Sequence, residues 1–421
     1  MSTWFVRCVL PVWWLYDRLL PKRADHWAFF VHPLKTDQFV ENSRAVFEEV
    51  KGDPALCKVL FTRGEVARLR LEGGRNVRVV DLQSLQGLAL LARCGVFLLT
   101  NAITFDLSWR WGKDGFAVLR PSLSRRIIVN LWHGIPLKRL FALASPQMRQ
   151  QADRIALRRE ERAYYQGLIS SSDVDSHAMA AIFHPIDPAR VWVTGLPRND
   201  FLRMPESHLP TFLRDEVQLV RDLKKARKLI VYAPTYRESS GGAAGCYSFS
   251  DEEIARLREL LRRHDAVLGF RMHYFRRNGQ RFSLEQHADG DSIIDLGHGL
   301  ISEIAPVLRE ADLLVTDYSS VYIDALYVDK PVFSFAYDLE HYQMQQNGLL
   351  YDMQLAFPGP VVGSFSALLD ALEQELVQPQ LVASEHYRMA RKFFFNHQDD
   401  RNASRVVGRL KNLMAEARDG E

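Results

Sequence analysis

Short apolar runs alternate with helical segments along nearly the whole chain, and this alternation restricts the fold more than any other feature. Strands are expected at 26–31, 57–62, 77–80, 95–100, 126–131, 167–170 and 190–194. A polar passage containing Pro205 and Pro210 follows, and a second series begins: strands at 228–233, 266–272, 292–295, 313–316 and 332–335, helices at 251–264, 300–310, 321–328 and 365–376. Continuous apolar runs of this length between helices read as parallel strands buried on both faces. Two such series predict an α/β protein of two Rossmann-like, doubly wound domains facing a central cleft. The expected division is an N-terminal segment 1–24, a first domain 25–205, a second domain 206–396 and a C-terminal helix 397–421 that packs back on the first domain. Ligands in such sheets bind beyond the carboxyl ends of the strands, so chemistry is expected there.

Composition narrows the class. Hydrophobic residues make up 47% and charged residues 25% of 421 residues, the balance of a globular protein. A net charge of +3 gives no support to nucleic-acid binding. Cys8, Cys57, Cys94 and Cys246 are far apart, which fits neither a disulfide framework nor a zinc site and points to a reducing compartment.

Residues 4–20 are apolar and aromatic but include Arg7, Pro11, Asp17 and Arg18. A spanning helix needs about 20 mostly apolar residues, so this stretch is not expected to cross a bilayer. Trp4, Trp13 and Trp14, followed by Arg18, Lys22 and Arg23, suit a helix lying at a membrane surface. The alternative is a hydrophobic helix packed on the protein itself. Residues 147–165 carry Arg149, Arg154, Arg158, Arg159 and Arg162, which read as a solvated face or as a contact for anionic lipid or polymer. Residues 239–245, rich in Ser and Gly, form either a lid or an ordinary flexible connection.

Four fragments carry the chemistry. In Trp132-His133-Gly134-Ile135-Pro136-Leu137-Lys138 a histidine ends an apolar strand, and the glycine after it lets the backbone approach a ligand. Arg271-Met272-His273 places a second histidine at a strand end; for both, a structural hydrogen-bonding role is the competing reading. Thr316-Asp317-Tyr318-Ser319-Ser320 leads into a helix, with both serines as candidate N-caps at a start suited to a diphosphate. Tyr232-Ala233-Pro234-Thr235-Tyr236-Arg237 ends a strand in a turn, where Arg237 could pair with phosphate oxygens. There is no GxGxxG after a strand and no P-loop. The DxD triplets Asp173–Asp175 and Asp289–Asp291 have no further hard-oxygen ligands nearby in sequence, and no metal is expected.

Taken in order, these fragments resemble the CDP-glycerol glycerophosphotransferase family of teichoic-acid primases, polymerases and capsule relatives. Asn42-Ser43-Arg44-Ala45-Val46-Phe47, Ser170-Ser171-Ser172, Gly195-Leu196-Pro197-Arg198-Asn199-Asp200, Lys330-Pro331 and Tyr337-Asp338 extend the likeness over about residues 25–405. Ile135 stands where the family usually has Thr, Tyr274 where it often has Pro, and Asp400-Arg401 where it has Asp-Gly. The resemblance implies a GT-B-like fold with the nucleotide held mainly by the second domain. It makes His133 and His273 the catalytic pair. Arg237, Arg271, Thr316, Asp317, Ser319 and Ser320 fall around the donor phosphates, Gly134, Pro234, Thr235 and Asp324 around nucleotide or substrate, and Lys138 and Arg198 on the acceptor side.

The reaction implied is transfer of a polyol phosphate from CDP-glycerol or CDP-ribitol to a lipid-linked or oligomeric acceptor, releasing CMP. It needs no cofactor, and its place would be the cytoplasmic face of a bacterial membrane, held peripherally. Two rivals remain at this point: a sugar transferase on the same fold, which would release a nucleoside diphosphate when using a diphosphate donor, and a non-catalytic member of a polymer-assembly complex.

Overall fold

The computed structural model describes residues 3–31, 38–63, 66–111, 115–144, 155–235, 247–272, 283–345 and 348–419. They form two units, the first comprising Met1–Gly134, Phe141–Phe201 and Asp399–Glu421, the second Ile135–Leu140 and Leu202–Gln398.

The strands of unit 1 are β1 (Arg23–Phe30), β2 (Cys57–Thr62), β3 (Val77–Asp81), β4 (Cys94–Leu99), a hairpin of β5 (Ser108–Trp111) and β6 (Gly115–Val118), then β7 (Ile127–Asn130), β8 (Gly167–Ser170) and β9 (Val191–Val193). Apart from the hairpin they form one parallel sheet in the order β3-β2-β1-β4-β7-β8-β9. Every residue of β2 and β4 is buried, the pattern of strands covered on both faces. The chain winds outward from β1 in one direction and then returns to wind the other way from β4, so the topological switch lies between β1 and β4.

Unit 2 repeats this plan with β10 (Lys228–Tyr232), β11 (Ala266–Phe270), β12 (Ile293–Asp295), β13 (Leu313–Thr316), β14 (Val332–Phe335) and β15 (Val361–Val362). Its parallel order is β12-β11-β10-β13-β14-β15, with the switch between β10 and β13. The hairpin and the two-residue β15 were not expected from sequence, because neither is long enough to show a period. The helix expected from residue 300 begins instead at Ile304, after a turn in which Ile301 N–H bonds the carbonyl of Gly297.

The N-terminal helix Thr3–Leu19, expected as a separate segment, belongs to unit 1. Trp13 and Asp17, one turn apart, point inward together. The indole N–H of Trp13 donates to the Leu88 carbonyl at 2.8 Å. Asp17 accepts from Ser122 N–H at 2.7 Å and forms an ion pair with Arg126; both charged side chains are fully buried. Burial alone would raise the Asp17 carboxyl, but the Arg126 guanidinium more than offsets it and holds it low. The opposite face of the helix leaves Val12 69%, Leu15 54% and Leu19 72% exposed. One face of this helix therefore packs on the protein, as the second sequence reading expected, and another is apolar and open. Among the described residues no helix is long and apolar enough to cross a membrane.

The helix Asn402–Asp419 also belongs to unit 1, against the helix Glu41–Val50. Asp200 accepts from the amides of Asn402 at 2.9 Å and Ala403 at 2.8 Å, capping the start of the C-terminal helix. Gly195, at φ +78°, has no room for a side chain, because an added Cβ would lie 1.9 Å from Asn402 Oδ1. The Gly195–Asp200 fragment thus fastens the C-terminal helix to unit 1.

Candidate active site

In unit 1 the site is built where β7 ends. Leu131 N–H continues the sheet by bonding the Leu99 carbonyl at 2.8 Å, and the chain then turns sharply. Trp132 has φ +45°, a left-handed conformation that is costly for so bulky a residue and is tolerated only where the surroundings enforce it. Asn130 Oδ1 accepts the Trp132 amide at 2.8 Å. Asn42 Nδ2 donates to the carbonyls of Leu131 at 2.9 Å and Trp132 at 3.1 Å, and its Oδ1 accepts the Arg198 amide at 3.0 Å. The Trp132 ring is buried edge-on against Phe183 and Phe141, and the Arg162 guanidinium lies over both phenyl rings. That arginine, read from sequence as part of a solvated run, is buried because the aromatic nest takes its charge as a cation–π partner.

His133 stands on this platform. Its ring lies 3.9 Å, centroid to centroid, from that of Trp132 and is exposed, while Gly134 and Ile135 after it are buried. A histidine presented from a rigid turn at a strand's carboxyl end is suited to proton transfer.

In unit 2 the residues singled out from sequence converge on the switch between β10 and β13. The Ala233 amide bonds the Val315 carbonyl at 2.9 Å, and Thr316 Oγ1 donates to the Ala233 carbonyl at 2.7 Å. Asp317 Oδ1 accepts from the amides of Thr235 at 2.7 Å and Tyr318 at 2.5 Å. Pro234, Thr235, Thr316 and Asp317 therefore form one buried double turn. Tyr318 stacks on Tyr342 with centroids 4.0 Å apart, and its hydroxyl donates to Asp338 Oδ1 at 3.0 Å.

Four expectations are corrected. Lys138, expected on the acceptor side of the first domain, belongs to unit 2, because Ile135–Leu140 bridges to the stretch around Leu349 and its ammonium sits 5.5 Å from the Tyr342 ring centroid. Arg271 does not present a free fork to a phosphate. It is buried and donates to the carbonyls of Leu296 at 2.7 Å and Ile301 at 3.0 Å, bracing the loop after β12. Burial pushes its guanidinium down to about 10, against the pull of Glu216 and Glu303. Ser320 occupies the N-cap of Val321–Tyr327 but makes no side-chain cap bond. Nor are all the early amides of that helix open: Val321 N–H reaches Ser319 Oγ at 3.4 Å and Ile323 N–H the Ser320 carbonyl at 3.0 Å.

Asp324 is buried on that same helix. The backbone N–H of Arg198 donates to Asn42 Oδ1 at 3.0 Å. His273, Arg237, the 239–245 loop, Arg149 and Arg154 lie outside the described residues. One carboxylate of each DxD triplet is held by nearby backbone amides. Asp175 accepts from Ser171 N–H at 2.9 Å, and Asp289 accepts from the amides of Asp291 at 2.9 Å and Ile293 at 3.0 Å.

One histidine escaped the sequence reading. His298, after β12, lies with Nδ1 3.1 Å from Arg271 Nη2. Its Gly297-His298-Gly299 setting carries the same glycine signal that marked His133, but it lies three residues beyond the end of β12 rather than directly at a strand end.

Two doubly wound parallel units, with candidate residues gathered beyond the strand ends, define a GT-B-like protein. Residues 16–412 match the model of the CDP-Glycerol:Poly(glycerophosphate) glycerophosphotransferase family, and the chain belongs to that family. It is 32% identical to the teichoic acid ribitol-phosphate polymerase TarK of Staphylococcus aureus over 58% of this chain, but spans only 45% of that relative. A teichoic acid ribitol-phosphate primase of Bacillus spizizenii matches at 24% identity over 100% of both chains. The solved wall teichoic acid polymerase TagF superposes with a TM-score of 0.76 at 20% identity, over 96% of this chain and 93% of that one.

Proposed function

We propose that this protein transfers a polyol phosphate, glycerol phosphate foremost, from a CDP-polyol to a hydroxyl of a lipid-linked or polymeric acceptor. The observation that carries the reading is His133, exposed on a buried and strained Trp132 turn, in a chain of the glycerophosphotransferase family. His133 takes the proton of the acceptor hydroxyl as that oxygen attacks the polyol-bearing phosphorus. A new phosphodiester bond forms, the bond to the bridging oxygen breaks, and CMP leaves with its charge. Such transfer depends on positioning and on neutralising oxygens, so no covalent intermediate is required.

The double turn of Pro234–Thr235 and Thr316–Asp317 forms the floor for the donor nucleotide, with Ser319 and Ser320 beside the phosphates. His273 and Arg237 keep the roles that the family likeness gives them, phosphate stabilisation and phosphate pairing. The exposed apolar face of the N-terminal helix, with Arg18 beside it, holds the protein peripherally on the cytoplasmic face of a membrane. The test is incubation with CDP-glycerol and CDP-ribitol and a lipid-linked or oligomeric acceptor, reading CMP release. His133→Ala should lose about 10²–10⁴-fold in turnover. Near-normal turnover in that variant would remove His133 as the base, and release of no CMP by the unaltered protein would sink the reading itself.

A further inference from the structure

The turn that carries His133 is held from behind by a chain of buried side chains that ends on a carboxylate. Asn130, the last residue of β7, is buried and accepts the Trp132 amide with its Oδ1 at 2.8 Å. That bond fixes the orientation of the Asn130 amide group. Its Nδ2 is left to donate to the Asn101 carbonyl at 2.8 Å and to the Tyr165 hydroxyl oxygen. Tyr165 in turn donates its hydroxyl proton to Glu161 Oε1 at 2.9 Å, and Glu161 Oε2 accepts the Thr104 amide at 3.2 Å. Tyr165 and Glu161 are buried as well. A second route runs through the neighbouring Arg162, whose guanidinium lies over the Phe141 and Phe183 rings that pack on Trp132.

The direction of these hydrogen bonds is set at the far end. Both Glu161 oxygens act as acceptors, the arrangement of an ionised carboxylate. A proton on Oε1 would oppose the Tyr165 hydroxyl, and one on Oε2 would oppose the Thr104 amide. Either way a buried bond is lost without compensation. Burial and the adjacent Glu161 push the Tyr165 hydroxyl up, so it keeps its proton and stays the donor.

Glu161 is the member that changes state. Burial pushes its carboxyl up to about 7, against the Tyr165 and Thr104 hydrogen bonds and the pull of Arg162. Asp106, on the short helix Ile103–Asp106, raises it further. Glu161 also borders a cavity of about 390 Å³ beneath the N-terminal helix, and a proton reaches it from there. Among the described residues the other titratable groups lining that cavity are Arg18, Arg120, Glu160 and Tyr164.

We propose that Glu161 is a positioning residue for the transfer reaction: when ionised, it orders Tyr165 and Asn130 and, through them, the Trp132–His133 turn. This role rests on the reading of His133 as the base and adds a buried group that governs how firmly the base is held. As Glu161 takes up a proton, the support behind Asn130 loosens and His133 spends less time placed for attack.

The experiment measures CMP release by the full chain from CDP-glycerol or CDP-ribitol, whichever the parent uses, with an oligomeric glycerol-phosphate acceptor. The parent, Glu161→Gln, Tyr165→Phe and the double variant are compared from pH 6 to pH 9; Tyr165→Phe keeps the ring and so guards against loss of the fold. Each single variant should lower kcat about 3–30-fold at pH 8, with donor KM changed by less than about twofold. The double variant should be no worse than the poorer single one, because both substitutions cut the same chain. Since Gln stands in for the protonated acid, the ratio of parent to Glu161→Gln kcat should fall toward one as pH drops to 6. Asp106 is present in both proteins and drops out of that ratio. Hydrogen exchange of the Trp132 amide, which needs no turnover, should quicken in both single variants at pH 8. A ratio constant with pH, losses that multiply in the double variant, parent-like kcat in Tyr165→Phe, or unchanged Trp132 exchange overturns the positioning role and leaves His133 as the base. Release of no CMP by the parent takes down both.

Discussion

Asn42 holds the backbone on which His133 stands by donating to the carbonyl of Trp132, the residue immediately before the histidine, at 3.1 Å. The same amide group serves Leu131, and the same side chain takes the Arg198 N–H. One fully buried side chain therefore satisfies three backbone groups around a left-handed turn. Asn42→Ala should lower kcat by about 10–100-fold with a smaller change in KM, because a displacement of about 1 Å in a catalytic group is enough for such a loss. Asn42→Asp is the sharper test. It keeps an acceptor for Arg198 but cannot donate to either carbonyl, so CMP-release kinetics should show it no better than Ala.

Asp317 plays the corresponding part in unit 2. Asp317→Ala leaves the amides of Thr235 and Tyr318 without their acceptor, at about 1–3 kcal/mol each where buried. Asp317→Asn keeps an oxygen in place. Calorimetric titration with CMP or CDP-glycerol should show at least about a tenfold weaker affinity for the Ala variant and much less change for Asn. Parent-like affinity in the Ala variant would remove the double turn from the donor site.

The buried Asp17–Arg126 pair predicts a non-additive result. Removing Asp17 strands the buried Arg126 guanidinium and should cost about 3–5 kcal/mol in urea unfolding, whereas removing Arg126 leaves Asp17 its Lys22 partner at 3.1 Å and should cost less. Replacing both with well-packed apolar residues, Asp17→Leu with Arg126→Met, should cost far less than the sum. If the single variants melted with the parent, the N-terminal helix would not be anchored by this pair.

Unit 1 also carries a pH signature. Burial pushes Asp200 up to about 7, against the two amides it caps, and similarly raises Asp106 and Asp175 to about 6. A folded-state value above the unfolded one means the native protein binds more protons in this window. Stability from this source is greatest below about pH 4 and is lost as pH rises through the folded value. Asp200→Asn should therefore flatten the unfolding free energy between pH 5 and pH 8, by at most about 1.4 kcal/mol per pH unit. The check is urea denaturation of both proteins across that range; parallel curves would contradict the assignment.

The sheets were legible because their strands are buried on both faces, so β2, β8, β13 and β14 keep the bounds expected from their apolar runs. Thr235 and Asp317 were also legible as residues beyond strand ends, and strand order then brings them together. What could not be read is where local chemistry meets tertiary demand. An arginine at the end of β11 looks like an anion binder until the carbonyls of Leu296 and Ile301 are seen to claim it. Lys138 follows His133 in sequence, yet the chain has already left unit 1, and no pattern of residue types announces such a crossing. The seven-residue helix after Ser320 bonds its early amides locally, which a capping rule built on longer helices does not anticipate.

The fastening of Asn402–Asp419 onto unit 1 has a consequence for how the molecule comes into being. Synthesis proceeds from the N-terminus, and domains commonly fold as they emerge. Here the sheet bearing His133 is finished early, but the Asp200 carboxylate and the space above Gly195 wait for residues made some two hundred positions later. Unit 2 can close on the ribosome while unit 1 is still short of a wall. A chain interrupted before Asn402 would carry every candidate catalytic residue and still lack the part that holds the first unit shut.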